Sequence, residues 1–284
     1  MGTTKRERQK ELHRAKLDST RSAERRATRI RRAVGIGAAL LTVVIFAAVV
    51  SAVQSDDSVD LAADDTTTDS SSTDSTQPEL VEPEFVYGTT PCPGPDAPEQ
   101  IDFEDGFVDC LDPAKSYTAT FQTNLGEVVV ELDTERTPGT TNNFVNLARH
   151  RYYDDTLIFR IDGSLDIAQG GSPHTNDNSD PGPGYTITDE GGPFDVAGTV
   201  GPFTYEPGQL VMARSQGPNS GGAQYFLTLG PDVSALDSQG TYVTFGQVTQ
   251  GLDVLTEMLA LEDPDNPGTP VRLLSVETVT ITES

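Results

Sequence analysis

The chain has 284 residues, enough for one medium domain with accessory segments, and a net charge of −25. That charge is split: residues 1–32 hold 12 of the 19 Lys and Arg and sum to +8, while the rest sums to −33. No single electrostatic description fits such a chain. The basic block has no interleaved aromatics, so no nucleic-acid partner is expected.

In chain order, residues 1–32 read as a basic cytoplasmic tail. Residues 33–53 are 21 uncharged, mostly apolar residues, long enough as a helix to match a ~30 Å hydrocarbon core. With the basic block before it and acids after it, the positive-inside rule predicts a single-pass transmembrane helix. The N-terminus would then be cytoplasmic and the C-terminal bulk extracytoplasmic, at the cell membrane. A cleaved signal peptide is the alternative, but the preceding segment is long for one and the apolar run exceeds the usual ~7–15 residues. Residues 54–85 carry ten acids, no base and many Ser and Thr, a composition that predicts a disordered acidic linker. Residues 86–114 form a Pro-, Gly- and Asp-rich lead-in around Cys92 and Cys110. Two cysteines in an oxidising compartment point to a disulfide; free thiols would be the reading in a reducing one.

Residues 115–284 read as the globular domain. Residues 117–133 alternate apolar and polar around Asn124-Leu125-Gly126, a hairpin signal. Thr137-Pro138 starts a helix, with Phe144, Val145, Leu147 and Ala148 on its apolar side. Short strands are predicted at 157–161, 166–169, 185–189, 209–213, 223–229 and 243–248, a second helix at 252–261 and a closing strand at 271–281. Many short strands with two helices predict a mainly β fold, a closed antiparallel barrel with capping helices.

The chemistry is sparse. No Gly-x-Ser-x-Gly occurs, and His150 and His174 are expected at the surface. Asn176–Asp180 crowds oxygen ligands but lacks the glycine and glutamate placement of a calcium loop, so no metal is expected. The paired glycines match no phosphate or dinucleotide motif. More telling is the run FRIDGSLDIAQGG at 159–171. If Gly163 and Ser164 turn between two strands, Arg160 pairs opposite Gln169 and both emerge on one face near Ile167. A structural arginine paired with a nearby acid is the other reading of that position.

Thr137-Pro138 with residues 143–148 and 152–155, Phe159-Arg160 followed by Gln169-Gly170-Gly171, and Pro183-Gly184-Tyr185 with Asp189-Glu190 stand in this order along the chain. Residues 208–213 with 217–219 and 223–226 follow, then Leu236-Asp237 with 243–248 and 251–254. Together these segments resemble the cyclophilin-type peptidyl-prolyl isomerases. The resemblance covers residues 115–284 and implies an eight-stranded antiparallel closed barrel capped by two α-helices. It implies cis/trans isomerisation of X-Pro bonds in proline-containing peptides, without a cofactor; with the expected topology the clients are unfolded exported proteins, and a monomer is expected. A catalytically weak proline-peptide binding module or chaperone on the same scaffold is the alternative. By resemblance, Arg160, Gln169 and Phe226 are the catalytic residues: Arg160 donates toward the prolyl nitrogen and Gln169 orients the substrate backbone. Ile167, Met212, Phe226 and Leu236 line the proline pocket, Ala213 and Gln224 flank the peptide, and Tyr242 stands where many members have histidine. The family histidine before the arginine is Phe159 here, one extra residue separates Arg160 from Gln169, and Arg214 replaces a common asparagine.

Overall fold

The computed structural model describes residues 79–94, 97–215 and 217–284. The expected basic tail, the expected membrane-spanning helix at 33–53 and the linker up to residue 78 lie outside them. Among the described residues no helix is long and apolar enough to cross a membrane.

The strands in chain order are β1 (Leu80–Val81), β2 (Tyr117–Thr123), β3 (Glu127–Leu132), β4 (Thr156–Leu157), β5 (Arg160–Asp162) and β6 (Ile167–Gly170). They continue as β7 (Phe194–Asp195), β8 (Gln209–Arg214), β9 (Gly221–Thr228), β10 (Thr244–Gln250) and β11 (Ser275–Glu283). Two helices, α1 (Pro138–Arg149) and α2 (Leu252–Leu259), and a short 3-10 turn at Pro231–Leu236 complete the set. Nine strands form one antiparallel sheet in the order β4-β11-β2-β3-β10-β8-β9-β6-β5, and β1 pairs separately with β7.

The predicted hairpin is β2–β3. Its turn is pinned by the Thr123 hydroxyl, which donates to the Gly126 carbonyl at 2.6 Å and accepts from the Leu125 and Gly126 N–H groups. The predicted first helix is α1, and residues 139–148 of it are all buried. A helix buried all round needs partners on both sides. On one side the Phe144 ring packs with Phe121, Tyr153, Tyr225 and Phe245 at centroid distances of 4.9–6.2 Å. On the other the lead-in covers it: Asn142 accepts from the Cys110 N–H at 2.8 Å and donates to the Val108 carbonyl at 3.0 Å. The expected Cys92–Cys110 disulfide is formed, with the Cα atoms 5.5 Å apart.

The expected closed eight-stranded barrel is corrected to an open, nine-stranded, curled sheet. The expected strand at 157–161 is divided between the two ends of the sheet. Ile158 N–H donates to the Leu274 carbonyl beside β11, whereas Phe159 N–H donates to the Gln169 carbonyl on β6. The run therefore leaves one edge for the other within two residues. Thr156 and Leu157 ladder only to β11 and Arg160 to Asp162 only to β6, so no residue of the run is paired with both edges. The expected strand at 185–189 is also absent; only an isolated bridge, Ile187 to Gly221, forms there. His150, expected at the surface, is 8% exposed because the lead-in rings Phe103 and Phe107 pack on it at 5.1 and 5.8 Å.

The N-terminus of α1 meets a buried acid. The Glu190 carboxylate accepts from the N–H groups of Gly139, at 3.2 Å, and Thr140, where the helix dipole favours negative charge. Burial nevertheless dominates and raises the Glu190 pKa, against the lowering effect of the Thr140 and Gly139 bonds. The folded state thus holds this proton more tightly than the unfolded chain, so Glu190 favours folding most below its usual 4.5 and least above its raised pKa. Glu190→Gln is expected to gain stability relative to the parent as pH rises through that window. Urea denaturation of both proteins across acid to neutral pH checks this; a difference that does not change with pH refutes it.

Candidate functional site

The turn at Gly163-Ser164 joins β5 to β6 and sets Arg160 directly opposite Gln169, as the alternation predicted. The ladder continues from Gln169 to Phe226 on β9 and from Phe226 to Val211 on β8. Directly opposed residues share a face, and residues two apart along a strand share it too. One face therefore carries Arg160, Gln169, Phe226, Gln224 and Ile167 beside one another. They border a cavity of about 540 Å³, which Ala213, Leu236 and Tyr242 also line.

Met212 is the exception. It pairs with Tyr225, which is fully buried, and is itself 3% exposed; it is not among the residues lining the cavity. Alternation along β8 turns it to the core face while Ala213 faces the groove. The expectation that Met212 lines a proline pocket is corrected on this ground. Leu165, in the lengthened turn, does line the cavity and supplies apolar surface there.

The polar side of the groove is one connected row. Arg160 Nη1 donates to Gln169 Oε1 at 3.1 Å, and Gln169 Nε2 donates to Gln224 Oε1 at 2.9 Å. Arg160 Nη2 donates to Asp162 Oδ2 at 2.5 Å. The side chains of Arg160 and Asp162 are 36% and 20% exposed. Asp162 is fixed in turn by the Ser164 N–H and hydroxyl, at 3.0 and 2.6 Å. Burial raises the Asp162 pKa, but Ser164 and the guanidinium outweigh it and hold the carboxyl below its usual value. Both readings of Arg160 thus hold at once: it is ion-paired and it faces the groove.

The apolar side is Phe226, Leu236, Ile167 and Leu165, with the Tyr242 ring edge-on to Phe226 at 5.5 Å. Two supports of this side were missed in the sequence. The buried Tyr205 hydroxyl accepts from the Tyr242 N–H at 2.8 Å and donates to the Tyr242 carbonyl at 3.0 Å, holding that backbone at two points. Asp166 accepts from the Asp232 N–H at 2.9 Å, at the start of the 3-10 turn that presents Leu236. No local motif marks either contact. A third wall was also missed: Asp180 to Pro183, Tyr185 and Thr186 close the groove from the outside. At the far end, Arg214 lines the groove and donates to Asp189 at 3.0 Å.

Among the described residues no cluster of three or more His, Cys, Asp or Glu could hold a metal ion. The carboxylate of Asp177 in the 176–180 loop is engaged by its own neighbours Ser179 and Thr175. What the groove offers is an apolar pocket beside a preorganised row of donors, suited to an extended chain carrying an apolar ring.

A family model described as cyclophilin type peptidyl-prolyl cis-trans isomerase/CLD matches residues 118–278. Peptidyl-prolyl cis-trans isomerase B of Bacillus subtilis (strain 168) is 36% identical over 133 residues, covering 46% of this chain and 82% of its own. Peptidyl-prolyl cis-trans isomerase ppi1 of Schizosaccharomyces pombe is 34% identical over 155 residues, covering 54% of this chain and 93% of its own. A crystal structure of a Cryptosporidium parvum cyclophilin type peptidyl-prolyl cis-trans isomerase is 26% identical with a TM-score of 0.48, covering 59% of this chain and 98% of that one.

Proposed function

The chain belongs to the cyclophilin-type peptidyl-prolyl cis-trans isomerase family, and from that premise we propose that Arg160 is its catalytic hydrogen-bond donor. The reaction is rotation about an X-Pro amide. Resonance sets its barrier at ~18–20 kcal/mol, and the twisted state frees the lone pair of the prolyl nitrogen. Rotation about the amide needs no bond to the enzyme and no proton transfer, and the guanidinium acts only as a hydrogen-bond donor. Arg160 has one N–H committed to Gln169 and another to Asp162, and its remaining donors serve the nitrogen. A donor fixed before the substrate arrives favours the twisted amide over the planar one. Gln169 and Gln224 hold the peptide backbone, and the proline ring fills the pocket of Phe226, Leu236, Ile167 and Leu165.

The observation that carries this reading is the hydrogen-bonded row Arg160–Gln169–Gln224 beside that pocket. A protease-coupled assay on an Ala-Pro-Phe peptide tests it. Phe226→Ala removes most of the pocket floor, and losing burial of a ring that size, worth about 1.5–3 kcal/mol, is expected to raise KM roughly tenfold or more. Wild-type activity at background would refute the reading.

The substrates are exported proteins, met outside the cytoplasm by a domain anchored through residues 33–53. The charge split around that apolar run supports this placement, and so does the Cys92–Cys110 disulfide, a bond of oxidising compartments. External protease added to intact cells should digest residues 115–284. Protection until lysis would overturn the placement.

A further inference from the structure

The outer wall of the groove, residues 180–186, contains no strand. Its hydrogen bonds to the rest of the domain are few: Tyr185 Oη donates to Asn143 on α1 at 2.6 Å, and just beyond the wall Ile187 N–H donates to the Gly221 carbonyl on β9 at 2.9 Å. Its other support comes from the lead-in, which precedes the family-matched span of 118–278. Phe103 N–H donates to the Pro183 carbonyl at 2.8 Å. Gly184, at φ +103°, lies so close that a Cβ there would be 2.3 Å from the Phe103 carbonyl oxygen. The Phe103 and Phe107 rings stand edge-on to Tyr185, at 6.5 and 6.4 Å. Independently, His174 is placed between the lead-in and the wall, its Nε2 3.1 Å from Asp102 Oδ1 and its Nδ1 3.1 Å from Asp180 Oδ1. The lead-in is itself closed by the Cys92–Cys110 bond.

We propose that Phe103 is a positioning residue for the outer wall of the peptide groove, so that the lead-in sets how tightly the enzyme holds an X-Pro peptide. This rests on the isomerase reading of the groove. Arg160, Gln169 and Phe226 belong to β5, β6 and β9, and their hydrogen bonds run among those strands. The lead-in therefore governs binding and leaves the turnover of bound peptide largely unchanged.

The test uses the full chain with Phe103→Ala, and Asp102→Ala as a milder change at an exposed side chain. Three quantities are read: KM and kcat on an Ala-Pro-Phe peptide, the Kd of that peptide by titration, and amide hydrogen exchange over 181–186. Phe103→Ala is expected to raise KM and Kd together, on the order of tenfold from the loss of a packed ring, with kcat within about twofold. Exchange over 181–186 should quicken. Asp102→Ala should shift the same quantities in the same direction by less, about twofold, because that side chain is mostly exposed. The proposal is overturned if Kd and wall exchange stay at wild-type values in Phe103→Ala. It is equally overturned if kcat falls as far as KM rises, or, should Phe103→Ala fail to fold, if Asp102→Ala leaves Kd and exchange unmoved. A wild type without turnover would instead refute the isomerase reading, and Kd and exchange would still decide the role of Phe103.

Discussion

Arg160→Ala is expected to lower kcat/KM by roughly 10²–10³, the loss found when one preorganised transition-state donor is removed. The effect should fall on kcat, because the planar amide of the bound peptide has no free lone pair for Arg160 to meet. Peptide Kd should change by only a few-fold, since the pocket of Phe226 and Leu236 is left intact. Arg160→Lys separates charge from geometry. A lysine keeps the charge but cannot span Gln169 and Asp162 with a planar fork, which Arg160 does at 3.1 and 2.5 Å. It should recover only a small part of the lost rate. Single-turnover isomerisation with peptide binding measured alongside checks both variants. Retention of more than about a third of kcat/KM in Arg160→Ala would remove this residue from the mechanism.

The largest stability effect is expected at Asp189. Its side chain is 7% exposed and that of Arg214 is 9% exposed, so the pair is taken almost wholly out of water. Asp189 accepts from Arg214 at 3.0 Å and from the Asn219 N–H at 2.9 Å. Burial raises its pKa against both partners, a sign that desolvation is felt strongly here. Asp189→Ala strands a buried guanidinium whose remaining bond is to the Gly198 carbonyl at 2.7 Å. Breaking such a pair from one side costs about 3–5 kcal/mol. Replacing both partners, as Asp189→Leu with Arg214→Met, should restore most of that loss. Guanidinium denaturation of the single and double variants decides it; a single-variant loss under about 1 kcal/mol contradicts it.

Local pattern and long-range contact account for what could and could not be read in the sequence. The β2–β3 hairpin, the start of α1 at Pro138 and the opposition of Arg160 to Gln169 follow from alternation and turn chemistry within about twenty residues. Gln224, Phe226, Leu236 and Tyr242 reach the groove as the family resemblance implied. Met212 does not, because alternation along β8 assigns it to the core face, a rule that family resemblance alone passed over. The rest depends on residues far apart in the chain. Tyr205 grips Tyr242 from 37 residues away, and Asp102 meets His174 across 72. His150 is buried by a lead-in whose docking no periodicity announces. The split of 156–162 between two sheet edges is likewise a property of the whole sheet rather than of that segment.

The pairing of β2 with β11 carries a kinetic consequence. The two strands are partners along nearly their whole length, from Thr123 opposite Val276 to Tyr117 opposite Glu283, yet every other strand and helix of the nine-stranded sheet lies between them in the chain. While the polypeptide is still emerging, β2 has β3 on one side and an open edge on the other. Closing a loop of that span costs entropy before any contact repays it, which makes such topologies slow folders. The domain must therefore complete its folding after the last strand of the sheet is delivered. In the interval β2 keeps an unpaired edge, which invites pairing with another chain.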